Sequence, residues 1–185
     1  MTYLALLRGI NVGGRNKIPM ADLKACFEAE GFDGVTTYIQ SGNVVFEAKR
    51  QDRRKLTKRI EDALAKTFSY EARVVLRSHQ QLKATVAKAP KGFGSEPDEY
   101  RYNVIFLKEP RTAAEALKSV TTREGVDEVS SGPSVLYFSN LMSRASQSHL
   151  SRIPGLPIYK DVTIRNWNTT TKLLALMDEC SRRRE

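Results

Sequence analysis

The sequence predicts an α+β fold of two ferredoxin-like (βαββαβ-type) subdomains, each an antiparallel sheet packed against helices. Three observations carry that prediction. The first 77 residues alternate short apolar runs with two amphipathic stretches in the order β-α-β-β-α-β; with right-handed crossovers this order gives a four-stranded antiparallel sheet with both helices on one face. A Gly/Pro-rich break, PKGFGSEPDE, is followed by a second run of the same kind. And 185 residues at 41% hydrophobic content and mean hydropathy −0.43 suit one domain or two small ones with a real core. The expected organisation is a first subdomain over residues 1–77, a connecting helix and linker over 78–100, and a second subdomain with a C-terminal helix over 101–185.

Each element has a local reason. Residues 2–7 are a continuous apolar run and read as a buried strand. Pro19 opens a helix on which Met20, Leu23 and Phe27 recur at helical spacing, and Gly31 ends it. Residues 35–40 and 44–47 are strands joined by Ser41-Gly42-Asn43, a hairpin. Residues 52–68 form an amphipathic helix with Leu56, Ile60, Ala63, Leu64 and Phe68 inside, and residues 72–76 a fourth strand. Ser78 and Gln81 make a capping box for a further helix that Pro90 ends.

Beyond the break, residues 102–107 read as a strand, 112–120 as a helix, and 126–130 and 135–139 as strands joined through Gly132-Pro133. A long Ser/Arg segment follows, then a strand over 158–164 and a closing helix over 170–180, capped by Asn168 or Thr169. The halves share negligible sequence identity, so the repeat rests on element order alone.

Composition narrows the function classes. No apolar run approaches the ~20 residues of a membrane span, and the N-terminus lacks a basic n-region and a cleavage site, which points to a cytoplasmic protein. Cys26 and Cys180 fall on apolar helix faces and read as reduced core residues. His79 and His149 stand alone, without metal-ligand spacing, and no cofactor is expected. Thirty Lys+Arg against 21 Asp+Glu give +9, which suits an anionic partner or simply solubility. The oligomeric state is not legible.

Three stretches stand out. Residues 8–17, RGINVGGRNK, hold three glycines, three basic residues and no acid between a strand and a helix start. Glycines admit backbone N–H groups close to an anion, and a helix N-terminus adds partial positive charge. Arg8 has the planar fork that pairs a phosphate or carboxylate with two hydrogen bonds. The spacing matches neither phosphate-loop signature, and positive φ alone explains the glycines equally well. Residues 40–43, QSGN, are ordinary turn chemistry or further polar contacts to the same site. Residues 165–169, RNWNT, stand at the last helix start, where Trp167 is either core or a stacking platform for a base. The basic run over residues 50–59 and the tail Arg182-Arg183-Arg184 are solvated faces or a phosphate track. The aromatic signature of the RNA-recognition module, which shares the βαββαβ order, is absent.

LLRGINVGGRNKIPMADLKACFEAEGF, TYIQSGNVVFE and RNWNTTTKLL resemble the bacterial domain-of-unknown-function family 1697, from Thr2 to about Met177. The resemblance implies two α+β subdomains of ferredoxin-like character and no transferable activity. The family's motif falls here on Arg8, Gly9, Asn11, Gly13, Gly14, Ser41, Gly42, Asn43, Arg165, Asn166 and Thr169.

The expected function is binding of a phosphate-bearing small molecule or nucleic acid through these stretches. The alternatives are an enzyme acting on a small phosphorylated or carboxylated substrate, for which Asp161 or His149 would have to be brought in, and a structural or interaction module. Ser41 has no partner at a triad spacing.

Overall fold

The computed structural model describes residues 1–14 and 16–182. Its first sheet contains β1 (Thr2–Leu7), β2 (Asp33–Tyr38), β3 (Asn43–Glu47) and β4 (Val74–Ser78), in the spatial order β2-β3-β1-β4, all antiparallel. Helices α1 (Met20–Ala29) and α2 (Arg53–Phe68) are its two crossovers. The period-2 rule puts Tyr3, Ala5, Leu7, Val44, Phe46, Val74 and Leu76 on one face, where they pack on Leu23, Phe27, Leu56, Ile60 and Leu64. Asp52 caps α2 by accepting the Lys55 N–H at 2.9 Å, and Ser69 leaves it in the left-handed region. The opposite face of this sheet, with Leu4, Leu6, Val45 and Val75, is buried as well.

The second sheet repeats the plan. β5 (Tyr100–Leu107), β6 (Asp127–Gly132), β7 (Val135–Leu141) and β8 (Val162–Asn166) lie in the order β6-β7-β5-β8. Between β4 and β5 runs α3 (His79–Ala87). The first crossover is α4 (Ala113–Ser119), held by a capping box of Thr112 and Glu115. The α+β, two-sheet expectation is therefore met. The second crossover differs from the first sheet's: in place of an α-helix it uses three 3-10 segments, Met142–Gln147, His149–Gly155 and Pro157–Asp161. Ile153 and Ile158 plug the core from these segments, against Ile105, Leu136 and Phe138.

The last strand and helix are shifted from expectation. Ile158 lies in a 3-10 segment that Pro157 opens at its first position, where a missing N–H costs nothing, and β8 begins four residues later. The closing helix α5 (Trp167–Arg182) starts three residues early. Its cap is Asn166, whose Oδ1 accepts the Thr169 N–H at 2.7 Å; Asn168 and Thr169 lie inside it. β4 likewise runs on through Arg77 and Ser78, a charged residue buried within the strand.

By contacts the chain divides into two compact units. One is residues 1–82 together with the chain from Lys172 onward; the other is residues 83–171. In the first, Thr2 Oγ1 meets Ser181 Oγ of α5 at 3.5 Å, and His79 meets Asp178 at 2.6 Å. In the second, Tyr137 Oη of β7 donates to Thr85 O of α3 at 2.6 Å. Cys26 and Cys180 form no disulfide among the described residues, Cys26 being buried and Cys180, expected in the core, only half-buried, and no described helix is long and apolar enough to cross a membrane.

Candidate functional site

At one end of the first sheet, the segment leaving β1 and the turn between β2 and β3 are knitted together. Leu7 N–H donates to Gly42 O at 2.8 Å, and Arg8 N–H to Arg73 O at 3.0 Å. Gly42, at φ +78°, is pressed against Leu7 and Ile10; a Cβ there would stand 2.8 Å from both side chains. Asn11 is the clasp. Its Nδ2 donates to Gln40 O at 2.9 Å and Ile18 O at 3.0 Å, and its Oδ1 accepts the Ile18 N–H at 2.8 Å. Asn16 Nδ2 donates to Gly9 O at 2.8 Å. Asn43 is wholly buried and donates to Tyr38 O at 2.9 Å and Ser41 Oγ at 3.0 Å. Arg8, Gly9, Asn11, Gly13, Gly14, Ser41, Gly42 and Asn43 thus share one locality, and the amides of Asn11 and Asn43 are spent on its shape.

The electrostatic consequence follows from which groups are used. The carbonyl oxygens of Gly9, Asn16, Ile18, Gln40 and Gly42 all accept internal hydrogen bonds. Gly9, Gly13 and Gly14 are exposed, Arg8 is half-buried, and residues 8–17 contain no carboxylate. Helix α1 begins directly after, with Pro19 at its N-cap and no side-chain cap, so its first N–H groups add partial positive charge. Arg15 lies outside the described residues.

Arg165, Asn166 and Thr169 belong to the second unit. Arg165 is buried at the end of β8, where its Nη1 donates to Ile164 O at 2.9 Å; burial pulls its guanidinium down to about 10. Arg77 occupies the same place at the end of β4, with Nη1 on Leu76 O at 2.9 Å. Ser78 and Asn166, the next residue in each case, cap α3 and α5. The two halves therefore repeat at residue level as Arg, cap, helix, a likeness visible in RSH and RNW but too short to trust without register. Thr169 is buried.

Trp167 is half-buried. Its ring stands edge-on to Phe93, with centroids 5.1 Å apart, and against Gly94, where a Cβ would be 2.4 Å from the indole. Phe93 also meets Tyr102 and Tyr137 at 4.9 and 5.4 Å. The Gly/Pro-rich segment thus anchors an aromatic cluster on the second sheet. Beside it, Trp167, Tyr100, Tyr102, Arg101 and Asn103 line a cleft of about 370 Å³. Of these residues the sequence singles out Trp167 alone; the signal for the others is the alternation of Tyr100 and Tyr102 on one strand face.

The groups an enzyme would recruit are engaged elsewhere in the second unit. Asp161 holds Arg111 at 2.9 Å, and His149 Nδ1 lies 3.1 Å from Thr121 Oγ1. In the first unit His79 touches both Asp178 and Ser181, but Ser181 Oγ donates to Met177 O at 3.0 Å, so its proton serves the helix backbone. Among the described residues no three His, Cys, Asp or Glu gather as a metal site. On α2, Lys58 pairs with Asp62 at 2.9 Å and Arg59 with Glu30 at 2.8 Å, which neutralises part of the basic run. Arg182 is exposed at the end of α5, while Arg183 and Arg184 lie outside the described residues.

A sequence-family model described as a protein of unknown function (DUF1697) matches residues 1–137. Among solved structures, the conserved bacterial protein SP0830 from Streptococcus pneumoniae is similar in fold, with a TM-score of 0.83 at 24% identity over 95% of this chain and 98% of that one. No curated protein matches the chain.

Proposed function

The chain belongs to DUF1697, a family of proteins of unknown function, and we propose from its own residues that it is a cytoplasmic binding protein for a phosphate-bearing ligand, nucleotide or nucleic acid. One observation carries the reading. In the loop after β1, internal donors occupy the carbonyl oxygens of Gly9, Asn16 and Ile18, while Gly9, Gly13, Gly14 and Lys17 are exposed, Arg8 is half-buried, and residues 8–17 hold no acid. Such a loop attracts an anion and repels nothing that carries one.

In this reading Arg8 supplies the charge, Gly9, Gly13 and Gly14 admit the anion to backbone N–H groups, and Ser41 adds a hydroxyl. Asn11, Gly42 and Asn43 act by holding the loop's shape. Asn166 and Thr169, at the start of α5, form a second polar locality, with Arg165 buried beneath it. The net charge of +9 favours the same class of ligand.

The test is fluorescence anisotropy of a labelled single-stranded RNA with the wild type and Arg8→Ala, at low and physiological salt. The expected result is binding that weakens with salt and falls a further tenfold or so in Arg8→Ala, as loss of one charge-assisted pair implies. Salt-sensitive binding unchanged by the substitution would move the contact to the basic face of α2. Absence of binding, together with no protection of the wild type by inorganic phosphate in thermal unfolding, would sink the reading.

A further inference from the structure

We infer that the cleft beside Trp167 in the second unit is a ring-stacking subsite for a nucleobase, carried by a free nucleotide or a single-stranded nucleic acid. The inference deepens the reading above by naming a ring-bearing ligand, and rests on it only for the choice of a phosphate carrier.

The cleft, about 370 Å³, is large enough for a base with its sugar. Its apolar wall is aromatic: Trp167, Tyr100 and Tyr102, the two tyrosines 6.1 Å apart and inclined at 37°. Phe93 and Gly94 buttress the indole from behind, so Trp167 is set in place before any ligand arrives. Every base has a π-face for such a wall.

Its polar wall is made of amides. Asn103 on β5 is the cross-strand partner of Asn166 on β8, and Asn168 follows on α5. The side chains of Asn103 and Asn168 make no hydrogen bond with any described residue, and Asn166 uses only its Oδ1. An amide offers a donor and an acceptor side by side, the pattern that base edges complement. A cleft of similar size, which shares Tyr100 and Tyr102 and includes Phe93, is lined by Glu96 and Glu128. The one beside Trp167 has Arg101 and no carboxylate, so of the two it alone suits a phosphate-bearing ring.

Trp167 is the chain's one tryptophan, so its emission reports from the cleft. The probes are adenosine, adenosine monophosphate, a short oligoadenylate, ribose 5-phosphate and a proline-rich peptide, with excitation at the red edge of the indole band. The expected result is saturable quenching by all three base-bearing probes and none by ribose 5-phosphate or the peptide. Asn103→Ala, which removes no internal side-chain hydrogen bond, and Tyr100→Ala each weaken it by about tenfold. An oligomer bound at least tenfold more tightly than the monophosphate marks a nucleic-acid strand as the source; equal affinity marks a free nucleotide. Quenching by adenosine that persists in Arg8→Ala supports the cleft whatever becomes of the loop. No saturable quenching at millimolar adenosine monophosphate, equal quenching by ribose 5-phosphate or the peptide, or wild-type affinity in both variants overturns the inference.

Discussion

Two glycines of the loop region, Gly13 and Gly42, do different work, and the difference is measurable. Gly13 has φ +57° with nothing within 4 Å of where a Cβ would be. Alanine there meets only the backbone penalty, and Gly13→Ala is expected to lower stability by about 1 kcal/mol. Gly42 carries the same penalty and would also drive a Cβ to 2.8 Å from Leu7 and Ile10. Gly42→Ala is expected to cost about 3 kcal/mol, read as a shift in the urea midpoint at constant slope. Asn11 gives a third case. Asn11→Asp keeps the acceptor for Ile18 N–H but turns two donors into a carboxylate facing the Gln40 and Ile18 carbonyls. It is expected to destabilise more than Asn11→Ala and to abolish anion binding, because the loop loses its clasp and gains a negative charge. Anion affinity equal to wild type in Asn11→Asp would show that the clasp is not what sets the loop.

At the scale of elements, what could be read from sequence depended on whether a segment's reason was local. β1, α1, α2 and α4 have local reasons, in apolar periodicity and in Asp52 and Thr112 caps, and they stand within a residue or two of expectation. The Ser/Arg segment has none. Its 3-10 segments are held by Asp127, whose carboxylate accepts from Ser148 Oγ at 2.6 Å and the His149 N–H at 2.8 Å, a contact made across 21 residues. No periodicity announces it. The prediction at this scale concerns the plug it delivers: Ile153 is 1% exposed, and Ile153→Ala is expected to cost about 3 kcal/mol, as deletion of any core aliphatic does, despite lying in a segment without α-helix or strand. A loss under 1 kcal/mol in chemical denaturation would mean the crossover is not part of the core. The candidate site divides the same way. The loop after β1 was visible because its composition is odd, whereas the cleft beside Trp167 needed β5 and β8 in register before Asn103 and Asn166 met.

At the scale of the whole molecule, both units hold a phenol that resists ionisation. Burial pushes Tyr70 in the first unit far up and Tyr137 in the second from 10.0 to about 12. A phenol whose folded value lies above its unfolded one binds its proton more tightly when folded. The stabilisation is therefore complete below pH 10 and is lost as pH rises toward the folded values. Wild-type stability is expected to fall between pH 10 and 12. Tyr137→Phe should be about 1 kcal/mol weaker at neutral pH, where the bond to Thr85 O is missing, yet show a shallower alkaline limb. An unchanged limb in urea titrations would assign the alkaline loss to other groups.

The first unit is discontinuous: its last piece, α5 from Lys172 onward, is made after the whole of the second unit. On the ribosome this fixes an order of events. Residues 83–171 leave the exit tunnel as a contiguous piece and can close their sheet early. The partner surfaces of Thr2 and His79, made first, wait for Ser181 and Asp178, made 179 and 99 residues later. A chain cut before residue 172 would hold every residue of the second unit and still lack the last piece of the first.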